Sequence, residues 1–183
     1  MFSDARSKNV ILVSHCILNQ NSISDGTADF PGTNERVLKL LMDAGVGIIQ
    51  MPCPELLCLG LDRGDIRGGE REVVVENTRI RGNLNKSESM KIINDLVNQV
   101  LFQIEEYLKN GFSVPGIVGV NRSPSCGVNT TSKDNREVDG QGVFMGELCR
   151  VLKDKGINID MVGIKGAEME KGIEEIRGLL HKA

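Results

Sequence analysis

The sequence has no tryptophan, one tyrosine and two histidines among its 183 residues. So few aromatic faces leave no platform on which single-stranded nucleic acid could stack. A basic excess is missing too. Twenty-two Lys and Arg face 25 Asp and Glu, giving a formal net charge of −3, which argues against a nucleic-acid polymer held by counterion release. No apolar run approaches the roughly 20 residues of a membrane span. The polar start of the chain, 1–9, lacks the apolar stretch of a signal peptide. A cytoplasmic protein with no membrane partner is therefore expected. His15 and His181 are too few and too badly placed for a Ser-His-Asp triad, since His181 lies in the C-terminal tail. The glycines at 64–69 are followed by no Lys-Ser/Thr pair, which excludes a phosphate-binding loop of that kind.

What the sequence does have is five cysteines, an odd number. In a reducing compartment a disulfide framework is the wrong default, and these thiols should be packing, metal-binding or reactive. Their positions decide. Four short aliphatic runs, at 10–13, 46–49, 117–120 and 161–164, read as strands buried on both faces of a parallel sheet. Between them lie stretches with helical spacing. One is capped by Thr33 or Asn34 and stops at Gly45; a long one starts near Ser87 or Ser89 and ends at Gly111. A third runs from near Gly142 to before Gly156, and the last spans about 168–181. This predicts an α/β fold: a single Rossmann-like domain over 1–183, with a doubly wound, mostly parallel sheet of about four strands. The segment 59–86 breaks the rhythm and is expected as a loop insertion, with a hairpin or an edge strand at 72–75 and a lid or substrate-loop role.

In open α/β sheets ligands bind beyond the carboxyl ends of the strands. The first strand is followed by Ser14-His15-Cys16, the second by Pro52-Cys53-Pro54-Glu55, and the third by Ser123-Pro124-Ser125-Cys126-Gly127. The fold would thus bring Cys16, Cys53 and Cys126 together. Three thiolates repel one another, and a soft metal or an iron–sulfur cluster removes that cost. Three protein ligands leave one position open for substrate or water, the arrangement of catalytic metal sites. Glu55 and Ser123 stand next to two of the thiols and suit proton transfer, with a helix-cap carboxylate and a turn serine as their structural alternatives. Cys58, among leucines, and Cys149, on a helix, read as packing residues. His15, beside Cys16, stays open between a site role and packing.

Three of these motifs resemble those of the thiouracil desulfurase family. They are Ser14-His15-Cys16-Ile17-Leu18 with the later Asp25-Gly26, Cys53-Pro54-Glu55, and Ser123-Pro124-Ser125-Cys126-Gly127, the last the most diagnostic. The likeness runs over about 9–165. It implies a 4Fe-4S cluster on Cys16, Cys53 and Cys126, with one open iron that takes the sulfur of a thiolated nucleobase such as thiouracil. Water then replaces sulfur at carbon without net redox change, and Glu55 and Ser123 assist. Where the family has Cys-Arg-Tyr-Asp-Gly this chain has Ser22-Ile23-Ser24-Asp25-Gly26, which leaves the three ligands intact but alters the substrate pocket. The expected activity is a non-redox desulfurase acting on a small thiolated compound. The alternatives are a sulfur transferase using the same open iron, and a non-catalytic metal-binding or sensor domain.

Overall fold

The computed structural model describes residues 4–181. In chain order its elements are β1 (Val10–Val13), α1 (His15–Leu18), α2 (Glu35–Asp43), β2 (Gly47–Gln50), α3 (Pro54–Leu59), α4 (Val73–Leu84) and α5 (Ser87–Lys109). These are followed by β3 (Ile117–Val120), β4 (Thr130–Lys133), β5 (Arg136–Asp139), α6 (Val143–Asp154), β6 (Met161–Ile164) and α7 (Met169–Leu180). The four aliphatic strands form one parallel sheet in the order β2-β1-β3-β6. Strand order reverses between β1 and β3, so the loops leaving these two strands diverge and open a crevice at the carboxyl edge.

Alternation along the strands sends side chains to two separate cores. Leu12 and Ile117 pack with Ile93, Val97 and Leu148 of α5 and α6. Ile11, Val13 and Val118 pack with Val37 and Leu41 of α2 and with Ile173 and Ile176 of α7. Helices therefore cover both faces of a mixed α/β, doubly wound sheet, which is why its strands read as aliphatic throughout. Asn34 caps α2, its side chain accepting from the Val37 amide at 3.2 Å. β2 begins one residue later than the aliphatic run suggests.

The insertion differs from expectation. The residues at 72–75 form neither a hairpin nor an edge strand; Val73–Leu84 is the helix α4. The Glu72 carbonyl accepts from the Val75 and Glu76 amides at 2.9 and 3.0 Å and so starts the helix. The buried residues that follow, Glu76, Ile80 and Leu84, recur every four positions on one helical face. The first of that stripe is a carboxylate, which hides the stripe from a hydrophobic count. Arg79 Nη2 and Arg71 Nη1 bind Glu76 at 2.5 and 2.7 Å, so its burial is tolerated.

A hairpin does exist, elsewhere. β4 and β5 pair antiparallel across Asp134 and Asn135, both in the left-handed region at φ 53° and 57°. This is a two-residue turn that Asp and Asn accept at low steric cost. Among the described residues no helix is long and apolar enough to cross a membrane.

Candidate active site

Cys16, Cys53 and Cys126 line one cleft of about 600 Å³, part of it open to solvent, together with Glu55, Arg63 and Ser123. Each thiol arrives by a different route. Cys16 lies in the single turn of α1 that follows β1, and the Ser14 amide ties that junction to the Val118 carbonyl of β3 at 2.9 Å. Cys53 is the N-cap of α3, its sulfur accepting from the Leu56 amide at 3.4 Å, with Pro54 at the first helical position. Cys126 ends the loop after β3. That loop leaves the strand through Arg122 at φ 69° and returns so that the Cys126 carbonyl accepts from the Val120 amide at 3.1 Å.

The Cys126 loop is packed from below by backbone. The Pro124 and Ser125 carbonyls accept from the Val143 and Met145 amides in the first turn of α6, satisfying donors that a helix start leaves free. Gly127 meets the Ser123 carbonyl where a Cβ would stand, 2.8 Å away. Its smallness thus serves the chain's own turn rather than approach to a ligand. Arg81, reaching from α4, donates to Thr131 Oγ1 at 2.9 Å, and Thr131 Oγ1 donates to the Ser123 carbonyl at 2.9 Å.

The three thiols are shielded from water and feel one another's charge. Burial pushes Cys126 up to about 12, and the neighbouring Cys53 adds to the shift. Cys16 is raised well above the ordinary thiol value by burial, then by Cys126, Cys53 and the Glu55 carboxylate. Cys53 is raised by burial and by Glu55. Without a positive partner the trio stays protonated at neutral pH. Among the described residues, no three His, Cys, Asp or Glu side chains gather about the position of a single metal ion. The thiols are close enough to feel one another's charge, yet they do not converge as ligands of one ion do.

Glu55 is held at both oxygens. Ser125 Oγ donates to Oε1 at 2.6 Å, and Arg63 Nε donates to Oε2 at 3.1 Å. Arg63 is 2% exposed and Glu55 13%. The guanidinium also donates to the Gly60, Leu61 and Ser22 carbonyls and lies 3.8 Å from Cys53 Sγ. Ser123 Oγ accepts from the Cys126 and Ser125 amides at 3.0 and 3.3 Å and stands 3.2 Å from Ser125 Oγ. Because Ser125 has one proton and its contact with the carboxylate is the shorter, Ser123 is the donor between the two hydroxyls. Sequence reasoning passed over Ser125, the residue in direct contact with Glu55; two serines in one motif carry no local sign of which faces the carboxylate. The burial of Arg63 carries no local sign either, since a buried arginine in a Gly-rich loop looks like any surface one.

His15 lines the same cleft, and burial followed by the Arg63 charge holds its imidazole below the ordinary histidine value, so it is neutral at pH 7. Asp25 accepts from Thr27 Oγ1 at 2.6 Å and from Asn77 Nδ2 at 3.1 Å, which joins the first-motif loop to α4. Cys58 lies away from the trio, its sulfur donating to the Ser89 carbonyl at 3.7 Å. Cys149 sits half-buried on α6.

A crevice at the reversal of a doubly wound sheet, lined by three thiols and a buried, ion-paired carboxylate, lies where an α/β fold of this kind places an enzyme's site. Residues 8–155 match the family described as "Putative 2-thiouracil desulfurase", and the chain belongs to that family. By family it is a desulfurase-type enzyme. It is 27% identical over 177 residues to an uncharacterized protein of Methanocaldococcus jannaschii, covering 97% of each chain. Among solved structures, the 4Fe-4S-dependent thiouracil desulfidase TudS aligns with 92% of this chain and 98% of its own, at 17% identity and a TM-score of 0.42.

Proposed function

We propose that the chain is an iron–sulfur-dependent, non-redox desulfurase, which replaces the sulfur of a small thiolated base by oxygen from water. One observation carries this reading: three thiols from three strand ends share a cleft with a carboxylate fixed by a serine on one oxygen and an arginine on the other. The donor set fits the implied group. Cys16, Cys53 and Cys126 would hold a 4Fe-4S cluster, whose iron charge offsets the burial and mutual repulsion that raise the bare thiols. The fully buried Ser14 hydroxyl at the N-cap of the helix that carries Cys16, without a hydrogen-bond partner, also suits a site that gains an acceptor on loading. Bound there, the cluster would supply an iron free of protein ligands as a soft Lewis acid for the substrate's sulfur.

The remaining chemistry falls to the chain. Overall, C=S and water become C=O and hydrogen sulfide, with no electrons exchanged. Glu55 is the base for the attacking water. Ser123 and Ser125 form a two-hydroxyl relay ending on Oε1, so a proton taken at the cleft face of Ser123 reaches the carboxylate in two hops. Arg63 keeps the carboxylate turned toward Ser125 by holding its other oxygen.

The test is sulfide release from 2-thiouracil by anaerobically reconstituted protein. Glu55→Gln should keep its iron and lose about 10²–10⁴ of kcat, the usual worth of a positioned acid–base group. Ser125→Ala should lose more than Ser123→Ala, because it cuts the contact to Glu55. Fully loaded protein that turns over no thiolated base would refute the proposal. Turnover that requires an acceptor other than water would make the chain a sulfur transferase.

A further inference from the structure

Ser14 has a hydrogen-bonding capacity that the fold leaves unused. Its backbone is fixed on both sides, the amide donating to Val118 O at 2.9 Å and the carbonyl accepting from Ile17 N at 3.0 Å. It occupies the N-cap of α1, where a serine hydroxyl ordinarily accepts from an amide one turn on. Here the side chain makes no such bond. The residue is fully buried, and among the described residues Ser14 Oγ is the buried side-chain nitrogen or oxygen left with no hydrogen-bond partner. It stands at the junction of two of the thiol-bearing segments, capping the helix that carries Cys16 and bonded through its amide to β3, the strand that leads to Cys126, and it slightly opposes the rise that burial causes in the Cys126 thiol. Interiors rarely leave a hydroxyl so placed, and an exception calls for a role.

We propose that Ser14 is a positioning residue for the metal centre, its O–H donating to the Cys126 thiolate or to the inorganic sulfide beside it once the cluster is held. This rests on the iron–sulfur reading above. A thiol is a weak acceptor; a thiolate or sulfide is a stronger one, so the bond forms only in the loaded protein. Hydrogen bonds to cluster sulfurs raise the reduction potential by stabilising the added charge, and outer contacts of this kind steady the ligand they touch. In the metal-free fold the same hydroxyl makes no hydrogen bond.

The two states therefore respond oppositely to Ser14→Ala. The metal-free variant should unfold in denaturant at the wild-type midpoint or above it, having lost only an unpaired polar group. The reconstituted variant should show a more negative reduction potential and release iron to a chelator about tenfold faster, the lower end of what an outer-contact loss costs a metal site. Ser14→Thr, which restores the hydroxyl, should return both values toward wild type. Unchanged potential and iron release in a loaded Ser14→Ala protein would overturn this inference alone. So would a metal-free variant destabilised as much as the loaded one, which would make Ser14 merely structural. Wild-type protein that takes up no iron would instead overturn the iron–sulfur reading on which the inference rests.

Discussion

Replacing Arg63 by Met should be the most destabilising single change near the site that leaves all three thiols in place. Methionine roughly keeps the length of the arginine stem and the same backbone penalty, since position 63 sits at φ 55° with either side chain. What is lost is the guanidinium. Glu55, 13% exposed, would lose its buried partner. The Ser22, Gly60 and Leu61 carbonyls would lose a donor. Removing one member of a buried pair costs about 3–5 kcal/mol, against total stabilities of about 5–15 kcal/mol. With an m-value of about 2 kcal/mol per molar urea, the midpoint should fall by about 1.5–2.5 M. The assay is urea unfolding of reduced, metal-free protein, which separates the ion pair from any cluster. Glu55→Gln completes a double-mutant cycle, and contact between the two side chains predicts a coupling of about 1–3 kcal/mol. A midpoint shift below about 0.5 M, or additivity within about 0.5 kcal/mol, would refute the claim that Arg63 holds Glu55.

Two further predictions concern the scaffold around the site. Arg79, then Arg71, hold the Glu76 carboxyl below its ordinary value. The unfolded chain therefore binds more protons in that range. The stabilisation is complete above the ordinary glutamate value of about 4.3 and is lost as pH falls through the folded value. Glu76→Gln should flatten the acid limb of a plot of urea midpoint against pH below about 5, and an unchanged limb would refute the ion-pair assignment. Gly142→Ala would drive its Cβ into the Ser125 carbonyl and to 2.8 Å from the Cys126 amide, neither able to yield. It should cost about 1–3 kcal/mol and reduce iron uptake. Gly82→Ala, on the helix α4 with open space around it, should instead stabilise by about 0.5–1 kcal/mol; equal effects of the two substitutions would contradict the packing described.

The parallel sheet was legible because its signal is local. A strand covered on both faces must be apolar at every position, as Val10–Val13 is, and as Ile117–Val120 is with Gly119 in the row. The meeting of Cys16, Cys53 and Cys126 could also be anticipated, because in this fold class position along the chain past a strand end becomes position in space. α4 was misread for an equally physical reason. Its valine start favours strand, and its inner face carries Glu76 and Asn77, whose burial depends on residues elsewhere. The β4–β5 turn did carry a readable mark in Asp134-Asn135, a pair suited to two consecutive left-handed residues.

The sequence by itself therefore determined the layered α/β frame, the family, and the three loops that bring thiols to one edge. Periodicity and motif are properties of neighbouring residues, and they survive without coordinates. Only the tertiary structure decided which serine touches Glu55, that Arg63 is buried against that carboxylate, and that Ser14 is left without a partner. Each of these is a contact between segments far apart in the chain: Ser125 meets Glu55 across 70 residues, and Arg63 meets Ser22 across 41. The charge state and proton path of the cleft are set by those contacts, and no local pattern encodes them.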